Sequence, residues 1–221
     1  MKPTKTKSTA AALAPAARST YRHGDLRRAL LKAGVELARA GGPEAVVLRE
    51  ATRRAGVVPN AAYRHFESRQ ALLQAVRAAA LAAVARAMEA ELTALKPAKS
   101  PLESARASVR AVGTGYLRFA QAETGLFRTA FATPVDVIDE PAQAKSGHSG
   151  LNPFELLGAA LDRLVEAGAM TAESRPGAEF LAWSAVHGLA LLLIDGPLRG
   201  MPSTQADALG QRVLDMVEKG L

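Results

Sequence analysis

Three polar side chains, Asn60, Tyr63 and Arg64, are spaced so that a helix would carry them on one face. An asparagine amide can bond adenine at two points, an arginine guanidinium can bond guanine likewise, and tyrosine can donate to phosphate. Ala62 and Phe66 fall on the opposite side and are expected to be buried. This pattern predicts a helix that binds nucleic acid, and the alternative is the solvated face of an ordinary amphipathic helix.

Two short helices must position this surface. The first is predicted over residues 48–55 and the second over residues 59–66, with a turn at Gly56-Val57-Val58 between them. Pro59 suits a first helical position, because its missing N–H would be unpaired there and its ring fixes φ. Two helices joined by a glycine-containing turn of this length are typical of a helix-turn-helix.

The distribution of charge points to the same function. Residues 1–80 carry 15 Lys and Arg against 5 Asp and Glu, a net charge of +10, whereas residues 81–221 carry 13 against 16, a net of −3. The basic part contains the helix-turn-helix, which is where an electrostatic footprint for phosphate is expected.

Residues 25–76 resemble the DNA-binding domain of the TetR family of bacterial transcriptional regulators. The matching residues are Arg49-Glu50, Ala55-Gly56-Val57, Tyr63-Arg64-His65-Phe66 and Arg69-Gln70-Ala71-Leu72. The resemblance implies that Asn60, Tyr63 and Arg64 face the major groove, while Arg49, His65 and Arg69 hold phosphates. Pro59 completes the predicted DNA-binding set.

The sequence departs from the family pattern at two helix starts. Val47 and Val58 stand where the family usually has a capping Thr or Ser, and losing such a cap typically costs about 1 kcal/mol. Ala51 also replaces a large aliphatic residue, so a less tightly filled small core is expected. Base preference therefore cannot be transferred from relatives.

The apolar spacing predicts an all-α chain in three parts: a basic disordered arm over 1–22, a helix-turn-helix domain over 23–76, and a ligand-binding and dimerisation domain over 77–221. The arm would add minor-groove contacts or be a plain solvated tail. A fourth helix, from about Ser68 to before Pro97, is longer than the small domain needs and so links the two domains. The other predicted helices cover 25–40 with Asp25 as cap, 102–121, a short segment with Phe127 and Phe131, 154–168, 176–194 and 204–219, with a loop over 133–152.

The larger domain is expected to enclose a cavity for an apolar or aromatic small molecule. The predicted lining residues are Met88, Tyr116, Phe119, Phe127, Phe131, Phe154, Trp183 and His187. Tyr116 and His187 are the expected polar contacts, and Gly113 and Gly115 inside one helix suggest a close backbone approach or a pocket wall. A fully packed core with no cavity is the competing interpretation.

Trp183, His187 and Gly188 together resemble the C-terminal domain of a TetR subgroup known for a Trp-His-Gly (WHG) signature. A single histidine on a largely apolar helix is more often a satisfied core residue than a catalytic group or a metal ligand. His187 is therefore expected to belong to the core.

These observations predict a ligand-responsive repressor, cytoplasmic and nucleoid-associated, that binds a palindromic operator as a homodimer through the last two helices. The alternative is a DNA-binding regulator controlled by a protein partner. An enzyme is not expected, because no nucleophile and base pair, phosphate loop or paired carboxylates occur at useful spacing. With no cysteine and four scattered histidines, no metal or cofactor is expected, and no apolar run reaches the length of a membrane span.

Overall fold

The computed structural model describes residues 23–132 and 142–220, and over these residues the chain is all-α. Nine α-helices occur there: α1 His23–Gly41, α2 Leu48–Ala55, α3 Pro59–Ala62, α4 Arg69–Thr93, α5 Pro101–Ala122, α6 Thr124–Phe131, α7 Pro153–Glu166, α8 Ala178–Ile194 and α9 Ser203–Gly220. Two short 3-10 turns, Pro43–Ala45 and Ala142–Lys145, lie between them. The predicted fold class is confirmed, whereas the predicted arm and part of the predicted loop, residues 133–141, lie outside the described residues.

Helices α1 to α3 form the small N-terminal core. The predicted bounds of α2 are exact, and Gly56 ends it at φ 69°, the left-handed conformation that favours glycine. Helix α3 is shorter than predicted, because regular helix stops at Ala62 and a single turn carries the chain on to Phe66. Ala62 and Phe66 are buried as expected.

The helix starts differ in how they are capped. Val47 and Val58 make no side-chain cap, as the sequence predicts. Ser68, by contrast, accepts the Ala71 N–H at 3.1 Å and starts α4, and Asn152 forms a reciprocal capping box with Glu155 at α7. The first helix begins at His23, two residues before the predicted start at Asp25. Packing rather than capping therefore holds α2 and α3.

Helix α4 is shared by the two parts of the molecule. Leu72 and Val76 are buried against the N-terminal helices, while Val84 and Met88 are buried in the larger domain. Among the described residues α4 is the one helix long and apolar enough to cross a membrane, but half of its apolar stretch is buried. It packs against α1, α5, α6 and α7, so its composition is explained by its place in two cores.

In the larger domain α5, α6 and α7 pack against α4, while α8 and α9 pack against α5 and against each other. Helix α5 crosses α4 at Gly115, where a Cβ atom would lie 2.6 Å from the Ala87 carbonyl oxygen and 2.7 Å from the Met88 Cα. Only glycine permits this approach without moving the two helices apart. On its other side α5 is tied to α9 by ion pairs from Arg110 to Asp215 and Glu218. The sequence prediction of a close backbone approach is thereby confirmed at Gly115.

Candidate DNA-binding surface and effector cavity

Asn60, Tyr63 and Arg64 are exposed together on the outer side of α3 and the turn that follows it. Tyr63 is 55% exposed, so its phenol is accessible from solvent. Arg49 on α2 is also exposed, while His65 is half-buried. The structure therefore brings an amide, a phenol and two guanidinium groups to one region of the small domain, and their contacts with DNA stay a prediction.

Arg69 is engaged with the protein itself. Its Nε donates to the Val46 carbonyl at 2.9 Å, and a terminal nitrogen donates to the Pro43 carbonyl at 2.9 Å and lies 3.3 Å from the Glu44 carboxylate. These bonds tie the first turn of α4 to the segment before α2. Arg69 thus positions the helix-turn-helix, a role that the sequence analysis missed because the acceptors are backbone oxygens more than twenty residues away.

The basic surface of α2 is partly neutralised from within. Glu50 accepts hydrogen bonds from Arg53 at 2.7 and 2.8 Å and from Arg54 at 3.2 Å. These side-chain bonds lower the pKa of Glu50 to about 2, so its carboxylate stays ionised throughout the neutral range. Arg49 and Arg64 are consequently the better candidates for direct contact with nucleic acid.

A cavity of about 390 Å³ lies between helices α4 to α9 in the larger domain. Of the predicted lining residues, the structure brings Met88, Tyr116, Phe131, Phe154 and Trp183 to its wall. The remaining wall is mostly aliphatic, with Arg77, Lys145 and Asn152 as polar members. Tyr116 was predicted as a polar contact, whereas Arg77, Lys145 and Asn152 were not predicted.

One end of the cavity is built from an aromatic cluster joined by hydrogen bonds. The Trp183 indole N–H donates to the Tyr116 hydroxyl at 3.0 Å, and that hydroxyl lies 2.8 Å from His187 Nδ1. All three polar groups are satisfied when Tyr116 donates to a neutral His187 that carries its proton on Nε2. Burial lowers the pKa of His187 and raises the pKa of the Tyr116 hydroxyl, both of which favour these neutral forms.

Three predicted lining residues are corrected by their positions. Phe127 is fully buried behind the cavity wall, with its ring 5.3 Å from Tyr116 and 4.9 Å from Phe131. His187 lies in the same layer, 5.7 Å from Phe127, and Phe119 is buried in the core; within the described residues none of the three lines the cavity. The spacing of the aromatic residues in the sequence could not distinguish side chains that line the cavity from side chains that are buried behind the lining.

The mouth of the cavity is framed by two exposed rings. Phe154 at the start of α7 and Phe180 at the start of α8 both line the cavity, and their centroids are 5.3 Å apart. They are 39% and 59% exposed. Phe180 was not predicted, because it lies at the edge of a helix whose apolar residues continue around most of its circumference.

The cavity wall is bonded directly to α4. Arg77 on α4 lines the cavity and donates from Nε to the Ala130 carbonyl of α6 at 3.0 Å. Farther along α4, Glu89 accepts the His148 and Ser149 N–H groups at 2.8 Å each, in the segment that joins Lys145 to Asn152. Burial opposes ionisation of Glu89, but these bonds outweigh it and lower its pKa. These bonds join the cavity wall and the segment beside it to the helix that enters the small domain.

Helix α6 makes a second contact between the two parts. Gly125 lies against the last carbonyl groups of α1, at Ala38 and Arg39. Arg39 also pairs with Glu123 at 2.8 Å, at the start of α6. Since α6 carries Ala130 and Phe131 of the cavity wall, the cavity contacts the small domain through both α4 and α6.

An exposed helix-turn-helix surface, joined by a shared helix to a helical domain with an apolar cavity, defines a DNA-binding transcriptional regulator. Residues 30–76 match the model of the bacterial regulatory proteins of the tetR family, and residues 109–217 match that of the tetracyclin repressor-like C-terminal domain. The chain belongs to the TetR family. A comparison with curated proteins found no match.

Solved structures share this fold over nearly the whole chain. A protein of unknown function from Rhodococcus sp. RHA1 is 26% identical with a TM-score of 0.71, covering 92% of this chain and 99% of that chain. FadR from Bacillus subtilis, in complex with stearoyl-CoA, is 14% identical with a TM-score of 0.61, covering 88% and 98%. RolR, in complex with resorcinol, is 21% identical with a TM-score of 0.56, covering 88% of each chain. At these identities the last two establish the fold alone.

Alanine substitutions of Arg64 and Arg69 should have different effects on DNA binding. Arg64→Ala should cost about 1–3 kcal/mol at one base position in each half-site and leave thermal stability unchanged. Arg69→Ala should weaken all sequences alike and also lower the melting temperature, because it removes the ties to Val46 and Pro43. Binding to a library of single-base operator variants, with parallel thermal denaturation, makes the comparison. Equal losses across all sequences for both variants would show that Arg64 reads no base.

Proposed function

We propose that this regulator is a homodimeric repressor that binds a palindromic operator and releases it when an apolar or aromatic small molecule enters the cavity. The observation that carries the proposal is the cavity of about 390 Å³, with a mostly apolar wall that includes residues of α4. A control by a protein partner alone would not require such an enclosed space. The cavity therefore favours a small-molecule effector over the partner-protein alternative.

The effector would be bound mainly by burial of its apolar surface, at about 25 cal/mol per Å². Leu81, Val112 and Leu157 supply aliphatic contacts, and Tyr116 and Trp183 supply aromatic ones. Arg77, Lys145 and Asn152 are the polar side chains placed to orient it, in place of the predicted His187. FadR with stearoyl-CoA and RolR with resorcinol illustrate that related folds are found with a fatty acyl thioester and with a small aromatic diol.

The proposed response is a two-state coupling between cavity and operator. An effector that binds one arrangement of the wall more tightly shifts the population toward that arrangement. Arg77 and Glu89 would pass the change to α4, whose Leu72 and Val76 lie in the core of the small domain. The two recognition surfaces of a dimer would then move relative to one another and lose their match to the operator.

The proposed dimer surface is the outer face of α8 and α9. Leu181, Leu191, Leu192 and Met216 are exposed there, with Leu181 at 65% and Met216 at 60%. Exposed apolar area of this kind is costly for a monomer and typical of a surface that pairs with a second copy. Leu209 and Val213, suggested by the sequence pattern, are partly buried against the protein's own core and are less suitable probes.

Three finer assignments belong to the same proposal. The Trp-His-Gly signature of a TetR subgroup would correspond to Trp183, His187 and Gly188, and the bonds of Trp183 and His187 to Tyr116 give that signature a structural role. A cytoplasmic location follows from operator binding in a bacterial cell. The arm over 1–22 would add basic contacts to DNA.

Filling the cavity should abolish the effector response. A screen of apolar and aromatic compounds should find one that raises the melting temperature of the wild type by about 5–10 °C at about 100 times its dissociation constant, and that releases operator DNA. Leu157→Phe should remove both effects because its larger ring occupies the cavity, while Leu157→Met conserves volume and should retain them. Gly113→Leu is a poor filler because a Cβ there meets Leu214. Equal responses of Leu157→Phe and Leu157→Met would place the effector elsewhere.

A charge on the exposed face of α8 should separate the dimer. Leu181→Asp should convert a wild-type dimer to monomer in sedimentation velocity at micromolar concentration and abolish operator binding, because a buried unpaired carboxylate opposes association. Leu95→Asp is the matched control, since Leu95 is also exposed but follows α4, away from this face. A monomeric wild type, or a Leu181→Asp protein that still sediments as a dimer, would contradict the assignment of this face.

A further inference from the structure

Val58 is the most exposed large apolar side chain that the structure describes, at 69%. It lies between α2 and α3, with an extended backbone at φ −74° and ψ 143°. It makes no cap to the helix that follows, although Ser, Thr, Asp or Asn is preferred at such a position. The side chain therefore contributes to neither the core nor the capping of the domain.

The other strongly exposed apolar side chains have a different location. Leu181 and Met216 lie on α8 and α9, where a second copy is proposed to cover them, and Phe180 lies at the mouth of the cavity. Val58 belongs to the small domain and precedes Asn60 by two residues, with Tyr63 as its nearest exposed apolar neighbour in sequence. Val58 is therefore exposed beside the residues that are proposed to contact DNA.

We propose that Val58 is a specificity residue, whose methyl groups pack on the C5-methyl of one thymine in each operator half-site. The residues at the start of a recognition helix contact base edges in the major groove. Valine has no side-chain donor or acceptor, and the thymine methyl is the apolar group that the major groove presents. The inference rests on the proposed operator binding and adds a contact beyond those of Asn60, Tyr63 and Arg64.

The proposal explains why the family's capping residue is replaced. A serine at this position would stabilise α3 but would offer no methyl group to the base, whereas valine gives up the cap and gains an apolar contact. Pro59 partly offsets the loss of the cap, because its ring fixes φ at the first helical position of α3.

Replacing thymine by deoxyuridine tests this contact, because it removes the methyl group and changes nothing else. In an operator selected from random DNA, each dT is replaced in turn in both half-sites. At one symmetric position, replacement in one half-site should lower the operator affinity of the wild type about fourfold, and replacement in both half-sites about fifteenfold. The affinity of Val58→Ala should not change on replacement at that position. Val47→Ala, at an exposed cap of α2, should keep the wild-type profile.

Val58→Ser separates recognition from helix stability. It should raise the melting temperature through the restored cap and still lose the preference for thymine over deoxyuridine. The inference is overturned if the wild type is indifferent to every replacement, or if Val58→Ala retains the wild-type loss. A wild type that selects no sequence at all overturns the proposed operator binding together with this inference, whereas a selected operator with a flat replacement profile overturns this inference alone.

Discussion

The close crossing of α5 over α4 at Gly115 fixes the helix on which both parts of the molecule depend. With the Ala87 carbonyl and the Met88 Cα this near, α4 cannot shift sideways at that point without displacing α5. Its N-terminal turns are held by the small domain, through packing and through the bonds of Arg69 to Val46 and Pro43. The crossing therefore gives the proposed tilt of α4 a fixed point between the cavity wall and the small domain, which packs on the N-terminal part of the helix.

The two sites use opposite physical means. The proposed DNA-binding surface is built on exposed polar side chains, Asn60, Tyr63 and Arg64, while Glu50 pairs with the neighbouring Arg53 and Arg54. The cavity wall is mostly apolar, and the polar groups of its aromatic end are bonded to one another, as in the bonds from Trp183 to Tyr116 and from Tyr116 to His187. Such a wall favours a ligand that is largely apolar, since burying a polar group without a hydrogen-bond partner is costly.

Much of the fold follows from the sequence, because helical periodicity, Gly56 and Pro59 are local signals. The bounds of α2, the exposed face of α3 and the shared helix α4 were predicted in this way. The cavity wall was predicted only in part. Whether Phe127 supports the wall or faces the cavity depends on how helices rotate against one another, and no local pattern encodes that rotation. The internal role of Arg69 and the cavity position of Lys145 are likewise set by tertiary contacts.

The coupling of cavity and operator can be measured without an effector, because Trp183 is the protein's one tryptophan and lies in the cavity wall. Its fluorescence quenching by acrylamide should change when the wild type is saturated with its selected operator, and should not change with a scrambled duplex of equal length. Helix α8 carries Trp183 in the larger domain, so a change reports on the cavity rather than on contact with DNA. Identical quenching with operator and with scrambled duplex would contradict the account.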